Sequence, residues 1–203
     1  MNTLFSHVCV VTMDERMSVW TDAFVGVTDG KISYLSKHAP EEKPAQIIDA
    51  TGMVLMPGLI NCHTHLPMQL LRGYADDLKL QEWLNDYIFP REDRLDGRCV
   101  RAATTLAVAE CLKFGVTSVS DMYYFCDDIC DVIAKSGMKA NISRGTSMFL
   151  GDDFDFEKFP ACQELVALKN KWHNFDGGRI KIEASIHAEY TSTYQLWDCL
   201  LYT

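Results

Sequence analysis

The chain has 203 residues, 48% of them hydrophobic and 23% charged, which fits one ordinary domain with a small appendage and excludes a disordered tail or a coiled coil. With 19 Lys and Arg against 28 Asp and Glu, the net charge is −9, so the basic face that a nucleic-acid partner requires is missing. No apolar run approaches the roughly 18 residues that span a membrane, and the first residues, Met1 to His7, carry no basic start followed by an apolar stretch, which reads against a secretory leader.

Residues 1–56 read as a small β-layer domain. Residues 5–12 form a Val-rich apolar run, and residues 23–27 and 31–35 flank Thr28-Asp29-Gly30, an Asp-Gly hairpin signal. Residues 45–49 and 53–56 flank a further turn at Thr51-Gly52. The pattern changes at Pro57-Gly58, and from 57 to 203 short apolar runs alternate with helical periods. Strands are predicted at 59–61, 116–120, 139–144 and 179–186. Helices are predicted at 98–114, 125–136, 159–172 and from 192 onward, with Gly115 and Gly137 as stops. Four βα units in series imply a parallel sheet, closed either as an open doubly wound sheet or as a barrel. Both closures put the active site at the C-terminal edge of the strands. The residues predicted there are His63, His65, Asp121, Arg144 and His187.

The eight cysteines form no C-x-x-C pair and read as reduced thiols of a cytoplasmic protein. Cys126 and Cys130, four apart on a helix, read as packing residues. No G-x-G-x-x-G or Walker A sequence occurs, so a nucleotide-phosphate cradle is not expected. The chemical signal is His63-Thr64-His65 after Pro57-Gly58 and a short strand. Side chains two apart on a strand point the same way, so both imidazoles can reach one divalent metal. Two histidines in this spacing also arise by chance; the preceding Pro-Gly and strand are what single out this pair.

The stretch PGLINCHTHLPMQLLRGYADDLKLQEWLNDYIFPRED resembles the amidohydrolase superfamily, and within it the adenosine-type deaminases acting on S-adenosylhomocysteine and 5′-methylthioadenosine. The resemblance continues through FGVTSVSDMYY, GMKANISRG and NKWHNFDGGRIKIEASIHAEYTST. It implies an α/β fold, the N-terminal part of a (β/α)8 barrel preceded by a small β-sandwich domain. It implies a metal held by His63 and His65: zinc, with iron or manganese as alternatives. It matches Trp83 to an aromatic that packs on the nucleoside, although Leu80, Trp83, Leu84 and Tyr87 also fit the buried face of an amphipathic helix. Glu92 matches a carboxylate that accepts from ribose hydroxyls, Arg144 a substrate-contacting arginine, and His187 a neutral histidine facing the substrate beside the metal. Triazine chlorohydrolases and guanine or pyrimidine deaminases share the metal-binding half.

Two departures bear on the substrate. The loop Gly151-Asp152-Asp153-Phe154-Asp155-Phe156 is acidic where S-adenosylhomocysteine deaminases carry a second arginine, and Glu189 stands where many relatives have proline. The resemblance places the general acid–base Glu and the remaining metal ligands beyond residue 203. The segment is therefore expected to be a truncated half that binds metal weakly, is inactive alone and associates with a second copy through its open edges. The partners expected of the whole enzyme are a small nucleoside and copies of itself, not nucleic acid or a membrane.

Overall fold

The computed structural model describes residues 1–148 and 154–201, which form two compact units, Met1–Gly58 and Leu59–Thr203. The first is a mixed five-stranded sheet. Strands β1 (Thr3–Val11), β2 (Val19–Thr28) and β3 (Lys31–Ser36) form an antiparallel meander. Strands β4 (Gln46–Asp49) and β5 (Val54–Leu55) both pair with β1 in parallel. The β2–β3 turn has positive φ at Asp29 (50°) and Gly30 (74°). That pair of left-handed residues is what a type I′ hairpin needs, and Asp-Gly supplies it at little steric cost. Val8, Val10, Ala23, Val25 and Ala50 form this unit's core.

The second unit is a four-stranded parallel sheet in the order β6 (Leu59–Thr64), β7 (Val116–Tyr123), β8 (Lys139–Thr146), β9 (Ile180–Ile186). The crossovers carry α1 (Gly97–Lys113), α2 (Cys126–Ser136) and α3 (Pro160–Trp172), and α4 (Tyr194–Leu201) follows β9. Strand order equals chain order. A doubly wound sheet reverses its order at a switch point; this one never does, which is the arrangement of a (β/α)8 barrel.

Local chemistry explains the helices. The Asp96 carboxylate accepts the Cys99 N–H at 2.7 Å and caps α1. Val100, Ala103, Ala107 and Val108 repeat at helical spacing and are buried. Gly137, at φ 79°, ends α2 in the left-handed conformation that glycine adopts without strain. Between sheet and helices lies one core, to which Val119, Ile142 and Ile182 contribute from the strands and Ile129, Ile133, Leu165 and Trp172 from the helices. Cys126 and Cys130 are buried in it, and none of the eight cysteines is joined in a disulfide.

Arg179, just before β9, ties α2 to the sheet. Its guanidinium donates to the carbonyls of Ile133 (3.2 Å) and Ala134 (3.0 Å) in the last turn of α2, and to Met138 (2.9 Å) beyond it. The last carbonyls of a helix have no partner within it, and a cation there also meets the negative end of the helix dipole. Arg179→Ala is expected to destabilise the protein by about 2–3 kcal/mol. Arg179→Lys should recover less than half, because one ammonium cannot span three carbonyls. Urea unfolding checks this; an unchanged midpoint for the alanine variant would show that the carbonyls find other partners.

Candidate active site

The site is built at the C-terminal edge of the parallel sheet. His63 lies in β6 and His65 just past it, with ring centroids 5.3 Å apart and ring planes at 74°. The His65 Nδ1 is 2.6 Å from the Met122 carbonyl oxygen. A carbonyl only accepts, so Nδ1 carries the proton and the Nε2 lone pair is left for a metal. Backbone carbonyls set the tautomer of metal-binding histidines in this way. His63 is exposed. The donor chemistry of the pair fits a divalent ion. Among the described residues no group of three or more His, Cys, Asp or Glu side chains is placed to hold a metal, whereas a catalytic zinc site normally has three protein ligands.

Beside His65 opens a pocket whose polar lining includes Glu92, Tyr123, Tyr124 and His187. Its apolar wall comes from the helical segment 80–92. Leu80, Trp83, Leu84 and Ile88 face the pocket from this segment at helical spacing. The turn Trp83–Ile88 is widened, with the Phe89 N–H reaching back five residues to the Leu84 carbonyl. Pro90 follows and has no N–H to continue a regular α-helical ladder. Widened turns of this kind recur at functional sites, and this one delivers Trp83 and, one turn later, Glu92.

Glu92 is held by Tyr123, whose hydroxyl donates to Oε1 at 2.6 Å. Burial raises the Glu92 carboxyl above its ordinary value, while the Tyr123 bond and the nearby His65 pull it down. Burial, then the adjacent Glu92, pushes the Tyr123 phenol well above the usual tyrosine range, so it stays a donor. His187 follows β9. Its Nδ1 is 2.8 Å from the hydroxyl of buried Thr191, and its backbone N–H donates to the Thr146 carbonyl at 2.8 Å. Burial, then the neighbouring His65, lowers its pKa, which favours the neutral ring.

The pocket thus gathers His65, Trp83, Glu92 and His187, with His63 beside His65. Arg144 stands outside it. Across the ladder Arg144 pairs with Tyr123. Its Nε donates to Glu164 on α3 at 2.6 Å, and its guanidinium lies 4.6 Å over the Tyr124 ring. Glu189 is exposed at the start of a short turn, Glu189–Thr191. Gly151, Asp152 and Asp153 of the acidic loop lie outside the described residues.

Asp121 differs from its expected place at the strand edge. Strand β7 runs on to Tyr123, so Asp121 sits inside it and is 1% exposed. One oxygen accepts the Leu66 N–H at 2.6 Å, and the other has no partner among the described residues. Burial pushes its carboxyl up to about 7. Tyr123, Tyr124 and Thr191 were not singled out from sequence. Extending the predicted strand 116–120 by three residues, to the observed end at Tyr123, brings the Tyr123-Tyr124 pair to the edge; nothing in the sequence marks Thr191.

A family model described as the amidohydrolase family matches residues 54–201. The 5′-deoxyadenosine deaminase of Methanosphaera stadtmanae is 38% identical over 177 residues, 86% of this chain and 40% of that protein. The 5-methylthioadenosine/S-adenosylhomocysteine deaminase of Thermoanaerobacter pseudethanolicus is 34% identical over 191 residues, 94% of this chain and 44% of that protein. The chain therefore spans less than half the length of these relatives. The crystal structure of an adenosine deaminase from Xanthomonas campestris with bound zinc superposes with a TM-score of 0.87 at 30% identity, covering 99% of this chain and 46% of that one.

The buried Asp121 generates a pH dependence. Below its ordinary value of 3.8 the carboxyl is protonated whether the chain is folded or not. Between there and about 7 the unfolded chain releases a proton that the folded chain keeps, so this group's contribution to stability falls through that window and is level above it. Asp121→Asn keeps an acceptor for Leu66 and carries no charge. In metal-free protein its stability relative to wild type is expected to rise from pH 4 to pH 7. Urea midpoints at each pH check this; a difference that does not change with pH would contradict it.

Proposed function

Because this chain belongs to the amidohydrolase family, we propose that the full-length protein is a metal-dependent hydrolase that removes the exocyclic amine of an adenosine-type nucleoside. The observation that carries the reading is one pocket holding an aromatic wall, a tethered carboxylate and a histidine whose metal-binding nitrogen is free. Relatives named as 5′-deoxyadenosine deaminase and 5-methylthioadenosine/S-adenosylhomocysteine deaminase support the same class.

His63 and His65 would hold a divalent metal, zinc in this reading, and such a metal makes a bound water acidic enough to supply hydroxide near pH 7. The chain's own residues bind and orient the substrate. Trp83 offers an aromatic face to the purine, and Leu84 and Ile88 keep water from it. Tyr123 occupies one Glu92 oxygen, leaving the other to accept from ribose hydroxyls. A neutral His187 presents Nε2 to a purine ring nitrogen. The residues that would complete the ligand set and carry the proton are not among those described, and the 203-residue segment alone is expected to bind metal weakly and to be inactive. With Arg144 already engaged by Glu164, a substrate carboxylate would have to compete for it. This favours a hydrogen, hydroxyl or methylthio group at the 5′ position over the amino-acid end of S-adenosylhomocysteine.

The net charge of −9 supports a small-molecule partner rather than nucleic acid. In the 203-residue segment by itself, the ladder edges of β6 and β9 that have no partner strand among the described residues support association with a second copy. Free thiols support a reducing compartment, the cytoplasm. Among the described residues no helix is long and apolar enough to cross a membrane.

The test is loss of adenosine absorbance, with ammonia release, when the full-length zinc-loaded protein meets adenosine, 5′-deoxyadenosine, 5′-methylthioadenosine or S-adenosylhomocysteine. The first three are expected to be turned over. His63→Ala and His65→Ala should each reduce turnover to background. Glu92→Gln should raise KM for ribosides by about 10- to 100-fold, the worth of a hydrogen bond to a charged group, with a smaller change in kcat. Turnover of guanine or a triazine, but of no adenosine nucleoside, would overturn the substrate assignment.

A further inference from the structure

We propose that Asn61 is a positioning residue: it stabilises a β-bulge that turns His63 and His65 to the inner face of the sheet. The inference rests on the reading of that pair as metal ligands and adds what aims them.

Asn61 lies opposite Val119, and Thr64 lies opposite Asp121. Three steps along β6 thus match two along β7, and one extra residue is inserted between them. Residues side by side across a ladder point to the same face. Val119 and Asp121 are both buried on the face of β7 that carries the core against the helices, so Asn61 and Thr64 face the helices too. In agreement, both line a pocket together with Ala107, Glu110 and Cys111 of α1; His65, just past the strand, touches this pocket as well as the one it shares with His187. Without the extra residue, the two-residue period would put Asn61, His63 and His65 on one face, the helix side. A slip of one residue transfers every later side chain to the opposite face. The bulge supplies that slip between Asn61 and Thr64, with His63 inside it and His65 just past it, downstream of an opposite shift between Leu59 and Ile60. Bulges re-aim side chains in this way beside active sites.

An extra residue interrupts the ladder and leaves backbone groups in need of partners. The His63 N–H finds one inside the bulge: the Asn61 Oδ1 accepts it at 3.2 Å. The His65 ring is oriented from outside, by the Met122 carbonyl. The His63 ring has no hydrogen-bond partner among the described residues, so its direction is set by the backbone that Asn61 braces. Asn61 is therefore to His63 what the Met122 carbonyl is to His65, acting on the backbone and not on the ring.

The test measures zinc affinity of the metal-free full-length protein by competition with a chelating dye, for wild type, Asn61→Ala, Asn61→Asp and His63→Ala. Supports of this kind are worth about 10- to 100-fold in metal affinity. Asn61→Ala is expected to lose that much. Asn61→Asp, whose carboxylate accepts the same N–H, should bind zinc at least as tightly as wild type, and His63→Ala should lose the site. If His63→Ala abolishes binding while Asn61→Ala stays within about threefold of wild type, the positioning role is wrong and the metal site stands. If His63→Ala binds zinc like wild type, the metal reading fails and this inference with it. A second measurement needs no variant: the His63 amide of the metal-free wild type should exchange its hydrogen as slowly as ladder amides of β6. Exchange at the rate of an unpaired amide would overturn the proposal even if Asn61→Ala did not fold.

Discussion

Neighbouring residues across a parallel ladder point to the same face, and at the C-terminal edge of this sheet that rule decides which side chains reach the pocket and which support it. Odd positions of β7 face the helices, as do even positions of β8 and β9. Val119, Ile142 and Ile182 consequently build the core. Asp121 is sealed under Leu66, and Arg144 turns toward Glu164 on α3. The opposite set faces inward and leads to Gly145 and His187 at the pocket. Between Asn61 and Thr64 strand β6 has one residue more than β7 does opposite it, and that local insertion brings the two histidines to the inner side.

The residues behind the lining matter as much as the lining. Glu92 meets the pocket through a bond from Tyr123, which the core buries from behind. His65 is fixed by the backbone of β7, and His187 by a hydroxyl from the turn that follows it. Glu92, His65 and His187 are thereby each tied to the sheet or to a turn packed on it. This suits a site that has to hold a nucleoside in one orientation. Trp83 is different: its position comes from a helical turn widened ahead of Pro90.

Much of the fold was legible. The Asp29-Gly30 hairpin, the helix stops at Gly115 and Gly137, and the four βα units all rest on local rules of turn chemistry and period. Sequence left the choice between a barrel and a doubly wound sheet open, because strand order depends on contacts that no local pattern encodes. At the site, His63 and His65 stood out by spacing, and Trp83, Glu92, Arg144 and His187 by likeness to a family. The bulge was invisible, because an extra residue alters the pairing with β7 and leaves the composition of β6 unchanged. The partnership of Arg144 with Glu164 was hidden for a similar reason, since it joins β8 to a helix face some 20 residues away. Asp121 was placed at the edge because the strand was ended at Ser120, before its last residues. Its burial, which raises its pKa, could not be read from the sequence.

The central assignment is that His63 and His65 together bind the metal at the edge of the sheet. Anomalous diffraction at the zinc absorption edge, from crystals of the full-length protein, tests it most directly. The expected result is a peak about 2.1 Å from a ring nitrogen of both histidines, with the Nδ1 of His65 still on the Met122 carbonyl. A zinc peak bound by other residues, with these two rings apart and uncoordinated, would contradict it.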